Sequence, residues 1–131
     1  MKSYIHKVQY YETDKMGIVH HSNYVRWMEE ARIDYLEQIG FGFDKLEAAG
    51  LVSPIVSVTC NYKKPTRFPE EVTIKTSLLE FKGVRLKLAY EMFNADGELV
   101  FDGTTELALL DINGMPFRVK KLLPDFYEKL Q

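Results

Sequence analysis

The stretch Tyr11-Glu-Thr-Asp-Lys-Met-Gly-Ile-Val-His-His-Ser-Asn-Tyr-Val-Arg-Trp-Met-Glu-Glu-Ala-Arg32 joins a cluster of reactive side chains to the longest amphipathic segment of the chain. It contains a carboxylate, Asp14, and a turn glycine, Gly17, and it reaches two adjacent histidines just before Ser22 and Asn23. Serine and asparagine are common N-caps of helices. The stretch therefore predicts a reactive loop that ends at the N-terminus of a helix.

Apolar side chains continue this segment at steps of four, three, four and four residues, with charged residues between them. The apolar positions are Tyr24, Met28, Ala31, Tyr35 and Ile39. This spacing predicts one buried stripe on a helix that ends near Gly40. On the solvated face we expect the charged side chains, which are Arg26, Glu29, Glu30 and Arg32.

The rest of the chain reads mainly as strands, because apolar and polar residues alternate with a period of two. Strands are predicted at 4–11, 56–62, 72–78, 84–92 and 98–110, with short helices from Asp44 and over 122–130. Short connections favour antiparallel pairing. We predict an α+β fold in a single domain, residues 1–131, in which a five-stranded antiparallel sheet wraps around one long helix.

Composition limits the partners of the protein. A formal net charge of −2 gives no overall attraction to nucleic acid. No segment approaches the ~18 apolar residues of a membrane span, and the N-terminus lacks an apolar signal region, so we expect a cytoplasmic protein. The single cysteine, Cys60, is expected to be a small core residue.

The reactive loop suits one kind of chemistry. Neither the nucleophile elbow Gly-x-Ser-x-Gly nor a nucleotide-binding glycine motif is present. What remains is Asp14, seven residues ahead of His21, beside a helix N-terminus that offers free N–H groups and partial positive charge. Such donors stabilise an oxyanion, and a nearby carboxylate can attack a carbonyl or activate water against it. A thioester, with its good leaving group, is the natural substrate.

The pattern Tyr-x-x-Thr-Asp-x-Met-Gly-x-Val-x-His-x-Asn-Tyr-x-x-Trp-x-Glu-x-Ala-Arg, from Tyr10 to Arg32, resembles the signature of the 4-hydroxybenzoyl-CoA thioesterase family. The segment Tyr62-Lys63-Lys64-Pro65 and the chain length are similar to its Tol-Pal-associated branch. The resemblance implies a hotdog fold and hydrolysis of an acyl-CoA to a free acid and CoA. It also implies homodimers that often pair into homotetramers, active sites at the subunit interface, and no cofactor, since CoA is part of the substrate.

The resemblance also suggests roles for individual residues. Asp14 matches the catalytic carboxylate, as nucleophile or general base, and His21 matches the residue whose backbone N–H polarises the thioester carbonyl. Positioning roles fall to Gly17, Asn23 and Tyr24. Candidates for the CoA phosphates are the basic residues Lys63, Lys64, Arg67, Lys82 and Arg85.

Two alternatives remain open at this stage. A hotdog hydratase or dehydratase would use a histidine paired with a carboxylate as acid and base. A non-catalytic module would bind acyl thioesters or a protein partner without turnover. A metal site at Asp14, His20 and His21 is disfavoured, because adjacent ligands on one loop lack the usual spacing. The identity of the acyl group is not determined by these patterns.

Overall fold

The computed structural model describes all 131 residues of the chain. Its strands are β1 (Tyr4–Lys7), β2 (Ile55–Tyr62), β3 (Glu71–Lys82), β4 (Arg85–Phe93) and β5 (Leu99–Ala108). Its α-helices are α1 (Asn23–Gln38), α2 (Phe43–Ala48), α3 (Val119–Leu122) and α4 (Pro124–Lys129). A 3₁₀ turn, Tyr10–Glu12, lies between β1 and α1.

The five strands form one antiparallel sheet in the order β1-β3-β4-β5-β2. Its inner face and α1 enclose a core of 25 buried apolar residues, in which Trp27 and Met28 are fully buried. Burying each large apolar side chain contributes about 1.5–3 kcal/mol, whereas an isolated helix of this length is marginal in water. The helix and the sheet therefore stabilise each other, and the predicted α+β architecture is confirmed.

The buried stripe of α1 is wider than its spacing predicts. Tyr24, Met28, Ala31 and Tyr35 are buried as expected, whereas Ile39 is only half-buried. Two predictions for the charged residues are wrong. Arg32 is 6% exposed, because it lies one helical turn after Met28 and points into the core. Glu30 is half-exposed, and its carboxylate accepts a hydrogen bond from the Tyr4 hydroxyl of β1 (2.7 Å) rather than facing solvent alone.

Several predicted boundaries also differ. Strand β3 continues to Lys82 instead of residue 78, and β5 covers residues 99–108 instead of 98–110. The first strand ends at Lys7 instead of residue 11, because the Glu12 carboxylate accepts the Gln9 backbone N–H and folds the chain into the 3₁₀ turn. The second helix begins at Phe43 after Gly42, one residue earlier than expected. The C-terminal segment is two short helices, because Pro124 starts a new one.

Strand β2 is an edge of the sheet and carries exposed apolar side chains. These are Ile55, Val56, Val58 and Tyr62, between 39% and 49% exposed. Cys60, on the same strand, is half-buried and packs against the core. An edge strand of this kind offers unpaired backbone groups to another strand.

Candidate active site

Asp14 opens a tight turn that presents its side chain to solvent. The Gly17 N–H donates to the Asp14 carbonyl (3.0 Å), and the Asp14 N–H donates to the Ile18 carbonyl (2.8 Å). Gly17 has φ +80°, a left-handed conformation that favours glycine. The Met16 N–H donates to Asp14 Oδ1 (2.8 Å), while Oδ2 contacts no donor in the chain. One carboxylate oxygen thus orients the side chain and the other is free to react.

The backbone of Glu12 fastens this turn to the start of α1. The Glu12 carbonyl accepts hydrogen bonds from the His20 N–H (2.8 Å) and from Asn23 Nδ2 (2.9 Å). Residues on both sides of the Asp14 turn are therefore tied together at the helix N-terminus. Asn23 is buried and positions the loop, although through Glu12 rather than as a helix cap.

The Glu12 side chain is the centre of a buried polar network. It is 5% exposed and accepts three hydrogen bonds, from His6 Nε2 (2.9 Å), the Gln9 N–H (2.7 Å) and Trp27 Nε1 (2.8 Å). Burial favours a higher pKa, but these three donors outweigh it and hold the pKa of Glu12 below its ordinary value of 4.5. Glu12 is therefore ionised at neutral pH, and its carboxylate holds the loop in place through these three hydrogen bonds.

His6 extends this network to the middle of α1. Its Nδ1 lies 3.0 Å from Glu30 Oε1, and the Tyr4 hydroxyl donates to the same oxygen (2.7 Å). Sequence reasoning missed both Glu12 and His6. The available signal was the spacing of Gln9 and Glu12, which is that of a capping box.

A surface cavity of about 390 Å³ adjoins the Asp14 turn. It is lined by Asp14, Ile18, Val19, His21, Tyr24, Tyr62, Lys63, Lys64 and Pro65. Several of the predicted site residues therefore face one space, although they come from the loop, from α1 and from the segment after β2. The cavity is the candidate active site.

His21 offers a free backbone donor at this cavity. Its N–H donates to no acceptor in the chain, whereas the His20 N–H donates to Glu12 and the Ser22 N–H to His20 Nδ1 (3.3 Å). The His21 carbonyl accepts from the Tyr62 hydroxyl (3.0 Å). That contact fixes the residue beside the cavity, and the free N–H meets the chemical requirement for an oxyanion donor.

The predicted caps of α1 need correction. Ser22 occupies the N-cap position, but its backbone is helical and its side chain accepts no N–H from the helix. The Ser22 hydroxyl instead lies 2.8 Å from His20 Nδ1. Neither Ser22 nor Asn23 caps the helix through its side chain. The first N–H groups of α1, those of Asn23 and Tyr24, donate instead to the His20 and His21 carbonyls (3.0 and 3.4 Å), and the partial positive charge of the helix start lies next to these two residues.

Tyr24 forms the inner wall of the cavity. Its ring stacks on Phe101 with centroids 4.9 Å apart, and its hydroxyl lies 2.8 Å from Thr66 Oγ1. Burial raises the pKa of Tyr24, so its hydroxyl stays neutral at physiological pH. Tyr24 can therefore shape the cavity but is not placed to act as a base.

The five basic residues predicted for CoA do not form one cluster within a chain. Lys63 and Lys64 line the cavity, with Lys64 paired to Glu98, and Arg67 is exposed nearby. Lys82 and Arg85 lie at the β3–β4 turn, at the opposite end of the sheet. The register places Tyr62 beside Phe101 and Arg85 beside Ala108, about 23 Å apart along β5 at ~3.3 Å per residue.

No group of three histidine, cysteine, aspartate or glutamate side chains is placed to hold a metal ion. None of the helices combines the length and the apolar character needed to cross a bilayer.

Comparison with known proteins identifies the family. Residues 8–130 match the family described as the thioesterase-like superfamily. The chain belongs to this superfamily. The chain is similar to the DHNA-CoA thioesterase from Staphylococcus aureus. The crystal structure of that protein superposes with a TM-score of 0.92 and 38% identity, and the match covers 97% of this chain and 86% of that one.

Two relatives by sequence extend the comparison. YneP of Bacillus subtilis (strain 168) is 35% identical over 127 residues, which cover 94% of this chain and 92% of YneP. The acyl-CoA thioester hydrolase YbgC of Escherichia coli O6:H1 is 27% identical over 105 residues, covering 80% of this chain and 78% of YbgC. The predicted hotdog fold and the predicted class, a thioester hydrolase, are confirmed by membership of the superfamily. The relatives support hydrolysis of acyl-CoA thioesters.

Proposed function

We propose that the protein is an acyl-CoA thioesterase of the 4-hydroxybenzoyl-CoA thioesterase branch, which releases a free carboxylic acid and CoA. One observation carries the proposal. Asp14, whose Oδ2 receives no hydrogen bond, and His21, whose N–H has no acceptor, line the same cavity next to the start of α1. A nucleophilic or basic oxygen and an oxyanion donor are the two groups that acyl transfer requires.

In the proposed reaction the thioester carbonyl oxygen accepts the His21 N–H. As a general base, Asp14 removes a proton from water, the hydroxide attacks the carbonyl carbon, and the C–S bond breaks to release CoA thiolate. As a nucleophile, Asp14 attacks the carbon itself, and water then hydrolyses the resulting anhydride. In either route the oxyanion develops against the His21 N–H and the positive end of α1, and a donor of this kind contributes about 2.7–4 kcal/mol.

We propose an aromatic acyl group as the substrate class. The cavity walls include the rings of Tyr24 and Tyr62, whose centroids are 5.3 Å apart at an angle of 85°. Perpendicular rings of this kind accommodate a flat apolar group by edge and face contacts. The similarity to the DHNA-CoA thioesterase from Staphylococcus aureus supports the same class.

A homodimer joined through β2 would complete the site, and such dimers can pair into tetramers. The exposed apolar side chains of β2 support this arrangement. If β2 pairs antiparallel with the β2 of a second copy, the sheet of the partner runs in the opposite direction to that of the first protomer. The end of the partner that carries Lys82 and Arg85 would then lie on the same side as Asp14, which is how these residues could reach CoA phosphates bound at Lys63, Lys64 and Arg67. Light scattering tests the dimer, with Val58→Lys expected to yield monomers.

We propose a single catalytic domain in the cytoplasm that needs no metal or cofactor, with CoA bound only as part of the substrate. The net charge of −2 supports a small-molecule partner rather than nucleic acid.

The decisive experiment measures thiol release from acyl-CoAs that range from acetyl to palmitoyl and include benzoyl, phenylacetyl and dihydroxynaphthoyl. We expect the wild-type protein to prefer aromatic members and Asp14→Asn to lose at least about a hundredfold in kcat. Incorporation of ¹⁸O from labelled water into Asp14 in a single turnover would identify the nucleophilic route. An inactive wild type, or an Asp14→Asn variant of equal activity, would contradict the proposal.

A second candidate has one supporting observation. The His21 ring lines the same cavity as Asp14, so the two side chains could act as acid and base in hydration of an enoyl-CoA. The distinguishing measurement is consumption of crotonyl-CoA without thiol release. A bell-shaped rate profile that disappears in His21→Gln would favour the hydratase, whereas the thioesterase needs only the backbone of His21.

A further inference from the structure

Arg32 is a buried arginine without a carboxylate partner. Its guanidinium makes one long hydrogen bond, from Nη1 to the Tyr90 hydroxyl (3.3 Å), and no aspartate or glutamate oxygen lies within 4.0 Å. Nε contacts no acceptor, and it is the one fully buried side-chain polar atom in the chain without a partner. Tyr90 is itself committed, because its hydroxyl lies 2.7 Å from Thr105 Oγ1.

A small enclosed cavity of about 10 Å³ lies beside this side chain. Its walls are almost entirely apolar and include Leu36, Leu86 and Leu107, with Ser53 as the one hydroxyl. A cavity of this size holds one water-sized particle. The two polar residues in its wall are thus Arg32, with a permanent positive charge, and Ser53, with a neutral hydroxyl.

A buried guanidinium without a counter-charge, beside an apolar cavity, does not stabilise the fold. Arginine keeps its charge in proteins, so burial cannot be relieved by loss of a proton. A buried charge is stabilised only by a counter-charge with good geometry, and an apolar side chain of similar volume would serve the core as well or better. Departures of this kind from folding rules are expected at functional sites.

We propose that the cavity beside Arg32 is an anion-binding site that takes a single negatively charged atom in contact with Nε. Two sources have this chemistry, namely a halide ion from solution and a distal carboxylate or phenolate oxygen of the acyl group. The second source rests on the proposed function. Within one chain this end of the sheet lies about 20 Å from the Asp14 cavity, since Phe101 and Leu107 are six residues apart along β5 at ~3.3 Å per residue. In the proposed dimer it lies on the side of the partner's Asp14, so the acyl group would be one bound there. Its route is a surface cavity of about 340 Å³ at Val52 and Ile112, which shares the wall residues Phe43, Leu51 and Ser53 with the enclosed one.

The first experiment tests the free anion. Thermal unfolding of the wild type is measured in sodium chloride and in sodium gluconate at equal ionic strength, beside Arg32→Met and the control Arg26→Met, an exposed arginine on the same helix. We expect chloride to raise the Tm of the wild type and of Arg26→Met by roughly 3–5 °C, and to leave Arg32→Met unchanged. A wild-type crystal soaked in bromide should show an anomalous peak next to Nε, which requires no variant.

The second experiment tests the acyl oxygen. The ratio of kcat/KM for 4-carboxybenzoyl-CoA or 4-hydroxybenzoyl-CoA to that for benzoyl-CoA should fall at least about tenfold in Arg32→Met, because removal of the charge affects only the substrates that carry the oxygen. Turnover of benzoyl-CoA by the wild type reports on the thioesterase itself. If the wild type does not hydrolyse it, the proposed function fails, whatever the outcome for the anion site.

Two outcomes would overturn the anion site. One is a wild type insensitive to chloride and bromide together with an unchanged ratio of kcat/KM in Arg32→Met. The other is that Glu47→Gln lowers the Tm as much as Arg32→Met does, and that the double variant loses no more Tm than either single variant. Glu47 is exposed and lines the neighbouring surface cavity, so this result would mean that it swings inward to pair with Arg32.

Discussion

The chain contains two turns of the same local design, and only one of them lies in the candidate active site. Asp14-Lys-Met-Gly17 and Asp111-Ile-Asn-Gly114 each begin with an aspartate and end with a glycine at φ +80° or +81°. In both turns the glycine N–H donates to the aspartate carbonyl at 3.0 Å, and a backbone N–H two residues after the aspartate donates to its Oδ1 at 2.8 Å.

The difference between the turns lies in what surrounds them. The Asp111 carboxylate accepts a second backbone hydrogen bond, from the Met115 N–H at 3.0 Å, and the helix that follows this turn, α3, has only four residues. The Asp14 turn is tied by Glu12 to the start of the long helix α1, and Asp14 lines the cavity. The same turn chemistry therefore supports a loop in one place and, in the proposed function, holds a catalytic carboxylate in the other, and the tertiary neighbours decide which.

The largest effect should separate the two aspartates. Asp14→Asn should lower kcat by about 10²–10⁴-fold, because a positioned acid–base group contributes that much, with little change in Tm. Asp111→Asn should keep its activity, because the residue only supports a turn. Thiol release and thermal unfolding of both variants test this contrast, which fails if the two variants lose equal activity.

The next effect concerns the anchor that makes the turns differ. Glu12→Gln should lower the free energy of unfolding at pH 7 by about 1.5–3 kcal/mol, because it replaces a charged acceptor of three donors. The pKa of Glu12 is lower in the folded protein, so its stabilisation is full above pH 4.5 and is lost as the pH falls below that value.

Urea unfolding across this pH range measures the effect. The difference between the wild type and Glu12→Gln should shrink on acidification, while Glu98→Gln, at an exposed ion pair, should show no resolvable loss of stability. A pH-independent difference for Glu12→Gln would show that its charge is not what anchors the loop.

A smaller effect should come from the two turn glycines. Alanine at φ near +80° is strained, although a Cβ at Gly17 or Gly114 would meet no atom within 4 Å, so each Gly→Ala change should cost roughly 1 kcal/mol. The stability losses should be equal, but only Gly17→Ala should also lower kcat. Loss of kcat in Gly114→Ala as well would mean that the second turn contributes to the site.

The smallest effect should be on substrate affinity. Lys63→Gln should raise KM for acyl-CoA a few-fold without changing kcat, because a solvated charge pair contributes about 0.2–1 kcal/mol. Lys75→Gln, an exposed lysine on β3, is the matched control and should behave as wild type. The change in Lys63→Gln should diminish at high salt, and a salt-independent KM would exclude an ionic contact.

Local patterns predicted much of this protein. The spacing of α1 identified Tyr24, Met28, Ala31 and Tyr35 as buried, because a helix places residues three and four apart on one face. Alternation located the strands, since it reflects the two faces of a sheet. The pattern failed at Arg32, where a charged residue occupies a core position, and periodicity cannot tell a buried charge from a solvated one.

Contacts between distant segments were beyond sequence reasoning. The bonds that join His6, Glu12, Trp27 and Glu30 connect three separate elements, and no spacing rule relates them. Lys82 and Arg85 were likewise grouped with Lys63 from their charge alone. The sheet register places these two residues and Lys63 at opposite ends of the sheet.

By itself the sequence determined the period of most elements, the reactive loop with Asp14 and Gly17, and the family signature, because these depend on side chains a few residues apart. Only the tertiary structure decided that the Asp14 turn rather than the Asp111 turn is tied to the start of the long helix and that Asp14 shares a cavity with His21. That choice depends on the Glu12 carbonyl accepting hydrogen bonds from His20 and Asn23, a contact made possible only when the loop and α1 pack on the same sheet.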